Sequence, residues 1–310
     1  MNLEGKFNGT GFSIRGLSDV PAARLPVFLI CLFVYFSIIF GNLSIFTIIL
    51  GNPNLHTPMY IFLMNLSAAD IIYASNILPN VMNMLVTFYN GISFARCMTQ
   101  MYFYIALTCT QVLLLEVMAY DRYLAICHPL RYFLLMSLVK CASLATLAWT
   151  FSFVITIGHI VLISKLSFCG LRFIDHFYCD IAPILKLTCS STFDVEIMNY
   201  IEGVLITFNA FLFTIISYMF IISTILKIKT SEGQRKAFST CSSHLTCVII
   251  FYGTLFFLYM RPSSSYSPAR DKFFALLSSV IIPILNPIIY SLKNQEIKVG
   301  VKNLCRKIMY

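Results

Sequence analysis

Seven apolar runs, each long enough to cross a lipid bilayer, follow one another along this chain and limit what it can become. They are Leu25–Leu50, Met59–Leu85, Met98–Tyr123, Cys141–Ile163, Met198–Leu226, Phe238–Met260 and Phe273–Leu292. A helix rising ~1.5 Å per residue needs about twenty such residues to span the hydrocarbon core. Lipid offers no partner to a free N–H or C=O, so each run must satisfy its backbone internally, as a helix. The predicted fold is an all-α membrane protein, a bundle of seven transmembrane helices. Composition agrees: 58% of the 310 residues are hydrophobic and 11% charged, too little polar surface for a water-soluble domain of this size.

The runs divide the chain into an outer amino-terminal tail (1–24), the bundle (25–292, with a long outer loop at 164–197) and an inner carboxyl tail (293–310). The first tail lacks the apolar core of a cleaved signal peptide, so the first helix is expected to serve as the insertion signal. Asn8-Gly9-Thr10 is a glycosylation sequon, usable only if this tail faces the lumen. The similar triplets at Asn42 and Asn65 fall inside helices and are discarded. Seven crossings from an outer amino terminus leave the carboxyl end in the cytoplasm. Twelve of the 22 Lys and Arg then lie inside, a small excess in the sense of the positive-inside rule. That inner positive field suits anionic lipid as well as a protein partner.

Cysteines follow the same division. Cys97 stands at the outer start of the third helix, and Cys169, Cys179 and Cys189 lie in the long outer loop. Four cysteines in oxidising territory allow two bridges in any of three connectivities. Cys31, Cys109, Cys141, Cys241 and Cys247 read as small apolar packing residues. Cys127 and Cys305 are on the inner side, Cys305 being a palmitoylation candidate or a free thiol.

Charged and polar groups inside the runs are the candidates for function, because burying them in lipid is costly. Met118–Tyr132 reads MAYDRYLAICHPLRY. Asp121 and Arg122 neutralise each other at the end of an apolar run, a latch that can exchange partners when helices move. His128-Pro129 then ends the helix. Asp70 is the deepest charge of the second helix. Tyr218 and Tyr290 carry hydroxyls near the inner ends of theirs, where a partner or water is needed. Pro283 and Pro287 break the seventh helix and free carbonyls that Asn286 or water can satisfy. Glu116 is expected as a protonated acid facing a neighbouring helix, and His159 as a satisfied interhelical group. His176 and Asp180 flank Cys179; a thiol held in a disulfide cannot ligate as a thiolate, so they read as structural.

Toward the outer half, polar and aromatic positions recur at helical spacing. They are Tyr104, Ile105, Thr108, Cys109 and Val112 in the third helix, Glu202 and Ile206 in the fifth, and Tyr252, Leu255, Phe256 and Tyr259 in the sixth. As a set they describe a mostly apolar cavity with a few orienting polar groups. An ionised Glu202 lining it would favour a cationic or hydrogen-bond-donating ligand. A Glu202 turned to headgroups or to Lys165 would carry no such meaning. No nucleophile–base–orienter set or metal cluster is present, so neither an enzyme nor a metal or cofactor is expected, and nothing suggests a nucleic-acid partner. A transporter would need related halves around broken helices at the midplane, and no repeat is found.

Five blocks in order carry a resemblance: LHTPMYIFLMNLSAAD (Leu55–Asp70), the Met118–Tyr132 segment, HFYCDIAPILKLTC (His176–Cys189), KAFSTCSSHL (Lys236–Leu245) and PILNPIIYSLK (Pro283–Lys293). With all five, the chain resembles an odorant receptor of the class best known from land vertebrates, a rhodopsin-like G-protein-coupled receptor. The resemblance implies a plasma-membrane location, typically in olfactory cilia. Its implied partners are a small volatile odorant and a heterotrimeric stimulatory G protein of the olfactory type, with cyclic AMP as messenger. It implies bridges Cys97–Cys179 and Cys169–Cys189. It implies that on activation Arg122 leaves Asp121 and faces the G protein while Tyr218 and Tyr290 close in to hold it, with Asn286 and Pro287 belonging to the same switch. It places Asp70 in a polar site between helices two, three and seven that can hold sodium. Two departures stand out: Gln111 replaces a usual third-helix glutamate, lowering the charge of that site, and Glu116 replaces a small apolar residue. An opsin would need a lysine within the seventh helix, whereas Lys272 and Lys293 only flank it. A volatile of ~10 heavy atoms at roughly −0.5 kcal/mol each binds with an affinity on the order of 10⁻⁴ M.

Overall fold

The computed structural model describes residues 11–17, 20–170, 172–259, 267–293 and 300. Asn8 and Cys305 lie outside them, as do the side chains of Tyr259 and Tyr290. Long helices occupy every predicted run: α1 Pro21–Gly51, α2 Pro58–Thr87, α3 Phe94–Cys127, α4 Leu138–Ser164, α5 Phe193–Leu226 and α6 Ser231–Tyr259, and then α7, made of Pro268–Leu276, Leu277–Ile281 and Ile282–Lys293 in succession. Six of them are long and apolar enough to cross a membrane, and α6 contributes the shorter apolar stretch His244–Leu258. In lipid, large apolar side chains belong on the outside, and on α1 Phe33 and Phe40 are 75% and 64% exposed.

The helices extend past the apolar runs because hydropathy reports membrane thickness while caps and breakers set helix ends. Ser93 Oγ accepts the Arg96 amide (3.3 Å) and starts α3 before Met98, and Ser137 does the same for α4 at Lys140 (3.3 Å). Pro129 stops α3. The polar half of KAFSTCSSHL continues α6 beyond the hydrocarbon, so the helix begins at Ser231 rather than Phe238.

Two π segments interrupt the regular winding. In α5, Gly203–Phe208 is wound as a π-helix, and the Asn209 amide reaches back to the Val204 and Leu205 carbonyls (3.3 and 3.1 Å). The wider turn rotates the outer part of α5 about its axis relative to the inner part. Glu202 and Ile206 are buried, while Leu205 between them is 62% exposed. In α7 the π segment is Leu277–Ile281, and the helix continues through Pro287. Here one expectation is corrected. The Pro283 carbonyl is served by Asn42 Nδ2 from α1 (3.0 Å), while Asn286 is turned to Asp70. Asn42 can reach because α1 and α7 approach closely. A Cβ on Gly41 would stand 3.1 Å from Pro287 Cγ, so glycine lets the two helices approach this closely without displacing the proline ring.

A small sheet caps the outer end. β1 (Gly11–Ile14) lies between β2 (Gly91–Ser93), antiparallel, and β3 (Phe173–Ile174), parallel, with Phe12 opposite Ile92 and Ile14 opposite Ile174. Phe12, Ile14 and Ile174 are buried, so the sheet sits on the core. Disulfide Cys97–Cys179 ties the outer loop to α3, and Cys169–Cys189 closes the loop on itself. Of the three connectivities the residues allow, these are the pairs that the resemblance implies.

Candidate functional site

At the inner end, α3 carries Asp121 fully buried beside Arg122. Arg122 donates to Asp121 Oδ2 from Nε (2.9 Å) and from Nη2. The other oxygen, Oδ1, accepts the hydroxyl of Tyr132 (2.7 Å). Tyr132 opens the short helix Tyr132–Leu135, which the turn at Pro129 folds back against α3. Burial, then the charge of Asp121 and its hydrogen bond, push the Tyr132 phenol up, so it remains a donor. The latch thus has three members, of which the sequence reading named two.

Tyr218 is hydrogen-bonded elsewhere and not to Arg122. Its hydroxyl bonds His244 Nδ1 (2.8 Å) and donates to the Cys241 carbonyl (3.2 Å), with the two rings stacked 5.8 Å apart. His244 went unassigned, although its place in the KAFSTCSSHL block was a signal. Next to the latch, Leu130, Phe133 and Leu134 are 101%, 80% and 83% exposed, an apolar inner surface that sequence reasoning also missed.

In the middle of the bundle, Asp70 Oδ1 accepts from Gln111 Nε2 and Oδ2 from Asn286 Nδ2, both at 2.8 Å. This joins α2, α3 and α7 as the resemblance implies. Two amide donors now point at the carboxylate where a sodium ion would need lone pairs, and the second acid is absent. The donor set does not fit resident sodium. Among the described residues no group of three or more His, Cys, Asp or Glu could hold a metal.

In the outer half, Tyr104, Ile105, Thr108 and Cys109 of α3, Glu202 of α5 and Leu255 of α6 line a cavity of about 60 Å³ beneath Ile181 of the outer loop. Val112 and Tyr252 lie buried in the adjoining core, Tyr252 donating to the Val112 carbonyl (3.4 Å). Phe256 is a correction. It is 55% exposed on the lipid side beside Phe257, because one further step of ~100° from Leu255 turns it out of the bundle. Ile206 lines a second cavity, of about 220 Å³, which it shares with Glu116 and Glu202 between α3, α4 and α5. Glu202 borders both spaces. Its Oε1 meets Nδ1 of His159 at 2.9 Å, with both side chains buried. The partner of Glu202 is therefore a histidine on α4 and not Lys165, a pairing that neither residue announced in the sequence.

The outer cap carries its own charges. Asp175 accepts from Lys272 Nζ (2.7 Å) and Arg15 Nη1 (3.4 Å), fastening the outer loop to the start of α7 and to the chain after β1. Partial burial opposes ionisation of Asp175, but the hydrogen bonds and charges of Lys272 and Arg15 outweigh it and hold the carboxyl below its usual range. His176 beside it is buried, its ring stacked on Phe177 and edge-on to Tyr178. Burial first, then the charge of Lys272, push its pKa down to about 3.

A family model described as "Olfactory receptor" matches residues 30–307. Olfactory receptor 13A1 of Homo sapiens is 45% identical over 295 residues, covering 95% of this chain and 90% of that protein. Olfactory receptor 8U9 of Mus musculus is 43% identical, covering 95% and 94%, and olfactory receptor 5AR1 of Mus musculus 42%, covering 96% of each.

Proposed function

We infer function from one premise: the chain belongs to the olfactory receptor family. It is a rhodopsin-like seven-helix protein of the plasma membrane, and it is not an enzyme. The proposed activity is capture of a small volatile odorant in the cavity between α3, α5 and α6. Capture activates a heterotrimeric stimulatory G protein of the olfactory type, which raises cyclic AMP. Olfactory cilia are the proposed site of action, with a glycan on Asn8.

The observation that carries this reading is the outer cavity itself. Its walls are mostly apolar, with Thr108, Cys109, Asn199, Glu202 and Thr207 as its polar side chains besides the Tyr104 phenol, and the disulfide-anchored outer loop roofs it. Its small volume suits ligands of few atoms. Thr108 already donates its proton to the Tyr104 carbonyl (2.8 Å), which leaves its oxygen as an acceptor. The Thr108 and Glu202 acceptors favour ligands that donate hydrogen bonds, amines and alcohols before ethers and hydrocarbons.

At the other end the three-membered latch supports coupling. With Asp121 held by Arg122 and Tyr132, the arrangement is closed; releasing Arg122 presents a cation to a partner beside the apolar patch at Leu130, Phe133 and Leu134. An agonist that favours the open arrangement shifts a pre-existing equilibrium, and the G protein tightens agonist binding in return.

The test is a panel of volatiles, amines and alcohols included, applied to cells that express the chain, with cyclic AMP as readout. Nucleotide exchange on Gα subunits by the purified chain is the direct measure. Failure to catalyse exchange on any Gα, even in a constitutively active form, overturns the reading.

A further inference from the structure

The larger of the two cavities lies outside the odorant pocket. It runs along α5 from Met198 to Ala210, about 18 Å at ~1.5 Å per residue, with Leu113 of α3 and Ile155 of α4 on its other walls. Ile201 and Leu205, on its rim, are 44% and 62% exposed, so it opens to the bilayer. Apolar walls alone would take a lipid tail. Two acids make this groove different. Glu202 meets His159, but Glu116 forms no hydrogen bond or ion pair with any described residue. Since α3 and α5 both run inward from their first residues, Glu202 lies toward the outer end of the groove and Glu116 toward the inner end.

An ionisable group at membrane depth with no partner points to a ligand that supplies one. We propose that the groove between α3, α4 and α5 is a second ligand site, entered from the bilayer, that takes a lipophilic aliphatic amine. Its nitrogen sits at Glu116 and its hydrocarbon chain lies along Ile155, Leu205 and Ile206. Such a molecule crosses lipid as the neutral base. In the groove the carboxyl proton of Glu116 passes to the amine nitrogen, and the resulting ammonium and carboxylate form a charge-assisted pair without either bare charge having crossed the membrane. An alcohol of the same length fits the walls but takes no proton, so the site separates the two by charge rather than shape. The groove site stands independently of the odorant reading: the two spaces share Glu202, but the amine nitrogen is placed at Glu116, which lines the groove alone.

The experiment uses the full-length chain in phosphatidylcholine nanodiscs with two probes: dodecylamine carrying a diazirine in its chain, and dodecanol carrying the same group. After photolysis the labelled residues are mapped by mass spectrometry. The amine should label the groove walls more densely than the lipid face of α1 around Phe33, and Glu116→Gln should lower that labelling about tenfold, as loss of a charge-assisted bond does. The alcohol should be unaffected by Glu116→Gln. Leu205→Trp, a change at an exposed rim position, should block both probes. Equal labelling by amine and alcohol, or native-like amine labelling in Glu116→Gln, overturns the proposal. Thr108→Trp fills the odorant cavity instead and should leave amine labelling intact. If no odorant raises cyclic AMP while labelling still depends on Glu116, the odorant reading falls and the groove stands.

Discussion

His159 of α4 and Glu202 of α5 meet at 2.9 Å, both buried, and Glu202 borders both the odorant cavity and the bilayer-facing groove. Each supplies the other with a polar partner at membrane depth, which is better buried than a lone ionisable group. The bond also fixes which way Glu202 turns. Its second oxygen is then the one left to face a ligand.

Breaking one side of this pair strands the other. Glu202→Gln keeps a hydrogen bond to the imidazole and should cost less than His159→Phe, which leaves a buried acid unpartnered. The expected loss for His159→Phe is roughly 1–3 kcal/mol. Thermal unfolding of the detergent-purified chain measures it. The double variant His159→Phe/Glu202→Leu should recover part of the loss, and strict additivity would show that the pair contributes nothing.

Tyr132→Phe removes one of the three bonds on Asp121 without altering shape. Losing about 1 kcal/mol from the closed arrangement should raise ligand-free cyclic AMP about fivefold, normalised to surface expression. Arg122→Ala should abolish signalling altogether. A Tyr132→Phe chain with native basal activity would remove tyrosine from the latch.

Leu130, Phe133 and Leu134 form an apolar surface that no described part of the chain covers. If a G protein docks there, Leu130→Asp should lower agonist-driven nucleotide exchange by about tenfold, since a buried apolar anchor carries a large share of an interface. Odorant affinity measured without G protein should not change.

Because amide donors occupy both oxygens of Asp70, agonist affinity of the native chain should be the same in sodium as in a bulky organic cation. Gln111→Glu replaces one donor by a carboxylate and should introduce a sodium dependence of roughly fivefold, within the usual range of coupling between sites. Sodium dependence in the native chain would refute the account of that site.

His176 stays neutral in the folded cap, whereas in the unfolded chain it gains a proton below about 6.5. Folding stability is therefore full above that pH and lost progressively as pH falls toward about 3. Between pH 7 and 5 the loss amounts to about 2 kcal/mol. Asp175, whose pKa lies below its usual value, contributes stability that is lost only at still lower pH, so it does not interfere in this window. Melting temperatures of the native chain and of His176→Asn between pH 7 and 5 test the claim; parallel curves would contradict it.

The seven crossings were legible because lipid imposes a local rule: each segment must satisfy its own backbone, and hydropathy reads that segment by segment. Asp121 and Arg122 were legible for a similar reason, being adjacent in the chain and costly at that depth. Tyr132 was in plain view but unassigned, because its reach depends on a turn at Pro129 that folds it back. The facing of α5 was not legible. It depends on a π segment at Gly203–Phe208, and a shift of one residue in winding decides whether Glu202 meets His159, lipid or ligand. Phe256 shows the same limit in α6, where periodicity alone put it in the cavity. Sequence by itself determined which segments cross the membrane and which charges must be neutralised there. Only the tertiary structure decided which residue neutralises each of them, because partners on different helices are chosen by rotation and depth, and no single segment encodes either.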